Sequence, residues 1–153
     1  MQDHMTRSII VKAGVSQTFR AWENFENFPN FMEHIKSVEK QEGRKSHWVM
    51  EGPFGKDIEW DAATTLFEPN QRIAWSSTDG DLKTSGQVTF APIGENETQV
   101  TVMLLYVPPA GLAGDLVAKL FGNPEGKLDS DLRRFKAWME GMPERTAVEE
   151  KEK

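Results

Sequence analysis

The chain has 153 residues, including five Trp and nine Phe but no Cys, and a formal net charge of −6 at pH 7. This length fits one domain that buries roughly 70% of its unfolded surface, and the absence of Cys excludes disulfides, thiolate metal sites and thiol catalysis. The Lys and Arg residues are dispersed, so we expect no nucleic-acid surface. The longest apolar stretch contains two prolines, and the N-terminus lacks a signal-peptide pattern. We therefore expect a soluble, cytoplasmic protein without a transmembrane segment.

The N-terminal part of the chain predicts one strand followed by two short helices. Thr6–Lys12 is short and rich in β-branched residues, which is typical of a strand. Val15–Asn24 has a helical period, with Ser16 as its candidate N-cap. The phenylalanine-rich segment 25–35 predicts a second short helix, and Pro29 is expected to interrupt this segment and start a fresh turn.

The middle of the chain changes to a period of two, which predicts an antiparallel meander. Six consecutive segments are predicted strands: Lys36–Gly43, Lys45–Gly52, Asp57–Glu68, Arg72–Thr78, Thr84–Ala91 and Gln99–Val107. Short turns join them, and Asp79-Gly80 is the strongest turn signal. Gly52, Gly55 and Gly86 are candidate positions for bends or bulges.

The last third predicts helices. An apolar stripe at 112–121 precedes the break GNPEG, after which Pro124–Glu140 reads as an amphipathic helix. Its apolar face is formed by Leu128, Leu132, Phe135 and Met139. Gly141 and Pro143 end it. We expect one domain over residues 1–143 and a charged, disordered tail over 144–153.

This order of elements predicts an α+β fold in which a strongly curved seven-stranded antiparallel sheet surrounds the long C-terminal helix. One helix covers only part of such a sheet, so an apolar cavity is expected under the two short helices. Alternation along the strands and the helical periods give the candidate ligand-binding residues: Phe28, Phe31, Trp48, Met50, Trp60, Trp75, Val88, Phe90, Leu104, Tyr106, Leu116, Leu120 and Leu132. The indole N–H groups and the Tyr106 phenol are candidate polar contacts, unless backbone carbonyls already satisfy them.

The segments FENFPNFM, SHWVMEGPFG, IEWDA, PNQRIAWSSTDG, SGQVTF and DLRRFKAWMEG occur in this order. With the order of elements, they resemble the polyketide cyclase/dehydrase branch of the START-like (SRPBCC) superfamily over about residues 6–141. The resemblance implies a helix-grip fold whose cavity, in relatives, accepts lipids, sterols, quinones, polyketides or plant hormones. Some relatives are cyclases, and others only bind or carry their ligand. The resemblance also makes Asp61 a candidate, since relatives often carry an acidic residue after this Trp.

Catalytic candidates are few. The three His residues lack metal-ligand spacing, so we expect no metal site and no cofactor. His34 lies where relatives have the mouth of their cavity, and it joins Tyr106 and Asp61 as a candidate for proton transfer. Alternation places Glu59 and Asp61 toward solvent, unless the strand register slips by one residue.

Three functions remain open at this point. The leading hypothesis is binding or carrying of a small hydrophobic ligand in the cavity, because no acid–base or metal constellation is evident. The alternative is a polyketide cyclase/dehydrase, in which orientation inside the cavity accelerates ring closure. The third is a protein-interaction module, which predicts an exposed apolar patch. The oligomeric state is not predicted.

Overall fold

The computed structural model describes residues 3–52, 55–107 and 124–141. One strand, β1 (Asp3–Val11), is followed by helix α1 (Val15–Glu23) and a 3₁₀ helix (Phe25–Asn30). Six strands follow, and helix α2 (Pro124–Gly141) comes last. These strands are β2 (Ile35–Lys40), β3 (Lys45–Met50), β4 (Ile58–Glu68), β5 (Arg72–Gly80), β6 (Lys83–Gly94) and β7 (Glu97–Val107). The predicted order of elements is confirmed, whereas the stripe at 112–121 and the tail at 144–153 lie outside the described residues.

The seven strands form one antiparallel sheet in the order β1-β7-β6-β5-β4-β3-β2. Helix α2 lies beside the edge strand β1 and satisfies part of its backbone. The Lys136 ammonium donates to the Ile10 carbonyl at 2.8 Å, and the Lys12 N–H donates to the Glu140 carboxylate at 2.9 Å. An edge covered in this way is less available for pairing with another chain. No helix of the described residues is long and apolar enough to cross a bilayer.

The sheet curves at bulges that the glycine positions did not predict. In the pairing of β4 with β5, the register shifts between Asp61 and Ala62 and again between Thr64 and Leu66. Gly86, a candidate for a bend or a bulge, lies in an unbroken ladder and is therefore not at a bulge. It is small for a different reason, because a Cβ atom there would lie 2.5 Å from the Trp75 ring.

The two short helices differ in detail from their prediction. Helix α1 begins after Gly14, which is its N-cap, so the assignment of Ser16 as the cap was wrong. The Thr18 hydroxyl instead donates to the Gly14 carbonyl at 2.8 Å. Pro29 lies inside the 3₁₀ helix rather than at the start of a new one. A 3₁₀ helix tolerates a proline here because such helices are short and contain few internal hydrogen bonds.

An aromatic cluster joins these helices to the sheet and to α2. Trp22 is fully buried, and its ring centroid lies 5.0 Å from that of Phe135 and 5.2 Å from that of Phe28. Phe31 and Phe90 complete the cluster at 5.9 Å and 6.4 Å from Trp22. These edge-on and tilted arrangements are favourable for aromatic rings and fix the short helices over the sheet.

Candidate functional site

A cavity of about 190 Å³, partly open to the outside, lies between the inner face of the sheet, the 3₁₀ helix and α2. Its walls are mainly apolar, as is typical of sites that bind hydrophobic ligands. Six of the predicted ligand-binding residues line it: Phe28, Trp48, Met50, Trp60, Trp75 and Leu104. Sequence reasoning missed six further apolar or hydroxyl-bearing lining residues: Met5, Met32, Ile35, Leu82, Thr84 and Leu128.

Adjacent strands build the tryptophan wall of this cavity. Trp48 and Trp60 are direct partners in the pairing of β3 with β4, so their rings stack with centroids 5.9 Å apart and an angle of 11°. The indole N–H of Trp48 donates to the Ser46 hydroxyl at 2.8 Å, which satisfies it inside the protein. The indole N–H groups of Trp60 and Trp75 make no hydrogen bond within the described part of the chain. The indole N–H of Trp22, in the aromatic cluster, is also without a partner among the described residues, and it is fully buried.

Other predicted residues lie in the packed core instead. Phe90 packs against Phe19 at 5.3 Å, and Phe31 packs against Phe135 at 4.9 Å. Together with Val88 and Leu132, they are buried but do not line the cavity that the described residues enclose. The backbone of Tyr106 belongs to β7, but its side chain lies outside the described residues, as do Leu116 and Leu120.

Three polar side chains border the cavity at one end: His34, Lys127 and Asp131. Lys127 and Asp131 lie one turn apart on α2, and His34 lies between the 3₁₀ helix and β2. Arg134 Nη2 donates to Asp131 Oδ1 at 2.5 Å, and the Glu33 backbone N–H approaches the same oxygen at 3.5 Å. We call His34, Lys127 and Asp131 the polar cluster. Of these three residues, sequence reasoning proposed only His34.

Burial perturbs both charged members of the polar cluster. It raises the pKa of the Asp131 carboxyl, although the hydrogen bond and the charge of Arg134 partly oppose this shift. Burial also lowers the pKa of the Lys127 ammonium, against the attraction of Glu33. Shifts of this origin beside an apolar cavity are typical of functional sites, although ion pairs in structural positions produce them too.

Asp61 lies on the other face of the sheet, away from the cavity. The His47 ring sits between two carboxylates, with Nδ1 2.8 Å from Asp61 Oδ1 and Nε2 2.8 Å from Glu59 Oε1. These hydrogen bonds, led by the one to Asp61, raise the pKa of His47. The outward orientation of Glu59 and Asp61 agrees with the alternation, and it removes Asp61 from the candidates that can reach a ligand in the cavity.

Two further features bear on the kind of site. The described residues contain no group of three His, Asp or Glu side chains that could hold a metal ion. The exposed large apolar side chains among them are Ile10, Ile93 and Met103, which lie singly along the strands. Single exposed apolar residues of this kind are normal on protein surfaces.

A curled antiparallel sheet, a long C-terminal helix and an apolar cavity under short helices define the helix-grip, START-like fold. The chain belongs to the family described as "Polyketide cyclase / dehydrase and lipid transport", whose pattern matches residues 11–133. It is 31% identical to a Deinococcus radiodurans protein of known structure, with a TM-score of 0.72 over 88% of this chain and 95% of the other.

Two more distant solved structures share the fold. A START superfamily protein from Mycobacterium smegmatis is 20% identical, with a TM-score of 0.68 over 89% of this chain and 98% of that protein. An aromatase/cyclase from Streptomyces is 16% identical, with a TM-score of 0.68 over 93% of this chain and 96% of the enzyme. At these identities, the likeness concerns the fold and not the chemistry.

Proposed function

We propose that the protein binds or carries a small hydrophobic molecule in the cavity walled by Trp48, Trp60 and Trp75. The observation that supports this function is a mainly apolar space of about 190 Å³ between the sheet, the 3₁₀ helix and α2. A dry cavity of about 150 Å³ is enough to bind benzene, so this one suits a molecule of one or two rings. The family description, which includes lipid transport, supports the same class of function.

A cavity-filling substitution tests this proposal. Leu104 lines the cavity from β7, and its chain neighbour Met103 points to the outer face, where it is 39% exposed. We expect Leu104→Trp to weaken the binding of p-xylene at least tenfold in isothermal titration, because the larger side chain occupies the space of the ligand. Met103→Trp is the matched control and should bind p-xylene like the wild type. Binding that survives Leu104→Trp unchanged would place the ligand elsewhere.

The natural ligand requires a separate measurement. A lipid extract passed over the purified protein and analysed by mass spectrometry should give a specific retained compound. Leu104→Trp should retain less of that compound than Met103→Trp does. If neither p-xylene nor any extract component binds, ligand carriage is the wrong function.

Cyclisation or dehydration of a poly-β-keto or aromatic substrate is a second candidate function. The position of His34 in the cavity wall, close to Asp131, favours it, because an imidazole there can transfer protons to or from a bound substrate. The fold shared with a Streptomyces aromatase/cyclase is consistent with this chemistry. We expect His34→Gln to lower turnover of a poly-β-keto substrate if the protein is such an enzyme. If the wild-type protein gives the same products as buffer alone, cyclase or dehydrase activity on that substrate is excluded.

A further inference from the structure

A second depression, of about 240 Å³, lies at the turn between β2 and β3, and we call it the basic depression. Three cations line it: Lys40 at the end of β2, Arg44 in the turn, and Lys45 at the start of β3. All three residues are exposed. Glu23, the last residue of α1, is the carboxylate among the lining residues. The lining is therefore positive overall, in a chain whose formal net charge is −6.

The three cations of the basic depression are not neutralised by neighbouring carboxylates. The side chains of Lys40, Arg44 and Lys45 make no ion pair and no hydrogen bond with the described residues. Glu23 forms no ion pair with any of them within the same part of the chain. Lys36, by contrast, pairs with the Asp57 carboxylate at 3.0 Å. Cations gathered without counter-charges create a positive potential that attracts an anion from solution.

The Arg44 backbone adopts a conformation that other residues would adopt with less strain. Its φ is +63°, in the left-handed region that Gly and Asn occupy more readily than Arg. The Thr64 N–H donates to the Arg44 carbonyl at 2.9 Å, which ties the turn to β4. The guanidinium carbon of Arg44 lies 5.5 Å from the centroid of the Phe67 ring. This cation–π contact holds the guanidinium beside the basic depression and leaves its N–H groups available as donors.

We infer that the basic depression binds a phosphate monoester. Such a group carries a charge of about −1.5 to −2 at pH 7 and three strong acceptor oxygens, which suits three cations opposed by one carboxylate. The Arg44 guanidinium can donate two parallel hydrogen bonds to it, and the ammonium groups of Lys40 and Lys45 act as point charges. A sulfate ester carries a single charge and gains less from the same three cations. The phosphate can belong to a soluble molecule or to a lipid headgroup.

The organic part of the ester would lie against aromatic rings. Phe25 and Phe67 line the basic depression beside the cations. Phe25 is buried, and its ring centroid lies 5.9 Å from that of Trp48 and 6.5 Å from that of Trp75, two residues that line the apolar cavity. Phe25 itself is not among the described residues that line the cavity. The proposed phosphate site is therefore separate from the cavity and does not depend on what the cavity binds.

Titration of the full chain with phenyl phosphate at low ionic strength tests the site. We expect phenyl phosphate to bind at least about fivefold more tightly than phenyl sulfate, which keeps the ring but carries one charge. Added salt should weaken the binding, because exposed charges are screened. Glu23→Gln removes the opposing carboxylate and should tighten phenyl phosphate by about twofold to threefold.

Variants of the turn identify the groups responsible. Arg44→Asn removes the guanidinium and suits the left-handed backbone, so it should weaken phenyl phosphate about fivefold to tenfold and keep the melting temperature within about 2 °C of the wild type. Lys45→Gln should weaken it about threefold to fivefold, and it covers the case in which Arg44→Asn melts early. Lys56→Gln is the matched control, since Lys56 is equally exposed in class but does not line the basic depression. It should leave binding within about 1.5-fold of the wild type.

Vesicles distinguish the two sources of the phosphate. Phosphatidylcholine vesicles that contain phosphatidic acid carry phosphate monoesters, and vesicles with the same fraction of phosphatidylserine carry none. If phosphatidic acid vesicles sediment the wild type but not Arg44→Asn, the group bound is a lipid headgroup. If phenyl phosphate binds and these vesicles do not, the ligand is a soluble phosphate ester.

Three results would overturn the inference. Equal sedimentation by phosphatidic acid and phosphatidylserine vesicles, or equal affinity for phenyl sulfate and phenyl phosphate, would show attraction to any anion rather than a phosphate site. Phenyl phosphate binding that neither Arg44→Asn nor Lys45→Gln changes would place the anion elsewhere on the protein. No binding of phenyl phosphate up to about 10 mM would refute the site, and the proposed function of the cavity would stand unaffected.

Discussion

Replacing Gly86 by alanine would put a methyl group into space that two cavity-lining side chains already occupy. Gly86 pairs with Trp75 on one side and with Leu104 on the other. The added Cβ atom would lie 2.5 Å from Trp75 Cζ2 and 2.8 Å from Leu104 Cδ2. Because both neighbours are held by their strands, the Trp75 ring must turn away from β6. The wall of the cavity therefore moves.

The cost of this change follows from the size of the overlap. Carbon atoms pack at about 3.5–4.0 Å, so the ring has to shift by about 1 Å. Overpacking of this kind destabilises the fold by about 1–3 kcal/mol. Replacing glycine also stabilises it by about 0.4–1 kcal/mol, because the unfolded chain has less conformational freedom. The net destabilisation is about 0–2.6 kcal/mol, with a midpoint of about 1.3 kcal/mol. For a chain of this length the midpoint lowers the melting temperature by about 3–5 °C.

The assay combines urea denaturation with titration of p-xylene. Gly94→Ala is the control on the same strand, because a Cβ atom there meets nothing within 4 Å, and it should leave both stability and binding unchanged. Adding Trp75→Leu to Gly86→Ala should recover space, so that the two changes couple by at least about 0.5 kcal/mol. A Gly86→Ala protein with wild-type stability and wild-type affinity would refute the close packing of Trp75 on β6.

Two further predictions concern stability alone. The His47 pKa is raised above 6.5 by Asp61 and Glu59, so the stabilisation from this group is complete below pH 6.5 and is lost as pH rises through the raised pKa. In urea denaturation across this pH range, the free energy of unfolding should fall by up to about 1 kcal/mol in the wild type but not in His47→Gln. Parallel pH profiles of the two proteins would contradict the assignment. Thr98 is fully buried and its hydroxyl donates to the Ala13 carbonyl at 2.8 Å. Thr98→Val should cost about 1–3 kcal/mol, and a neutral result would mean that water or a rearrangement satisfies Ala13.

Alternation predicted the inner face of the central strands well because one face of the sheet is covered and the other is not. In β3 the buried and partly exposed residues alternate as expected, with Trp48 inside and His47 outside. The prediction weakened at the end of β4. The register shift between Thr64 and Leu66 reverses the parity, so Phe67 packs inward against Phe19 at 5.5 Å. A bulge without a glycine leaves no signal in the residue pattern.

Sequence could not separate core from cavity, because both are lined by inward apolar residues. Phe90 and Trp75 both point inward from neighbouring strands, but only Trp75 lines the cavity. The difference comes from α1, whose Phe19 and Trp22 fill the space above Phe90. Which part of the sheet α1 covers is a property of the tertiary packing, and the period of the strand contains no information about it.

The polar cluster shows the same limit on a helix. The segment KLDSDLRRF of α2 carries charges at five of its nine positions, a pattern typical of a solvated face with ion pairs one turn apart. Which of these charges borders a cavity depends on the rotation of the helix about its axis. That rotation is set by Phe135, which packs against Trp22 and Phe31, and by the contacts of Lys136 and Glu140 with β1. Asp131 therefore becomes a candidate binding residue only through interactions made elsewhere on the same helix.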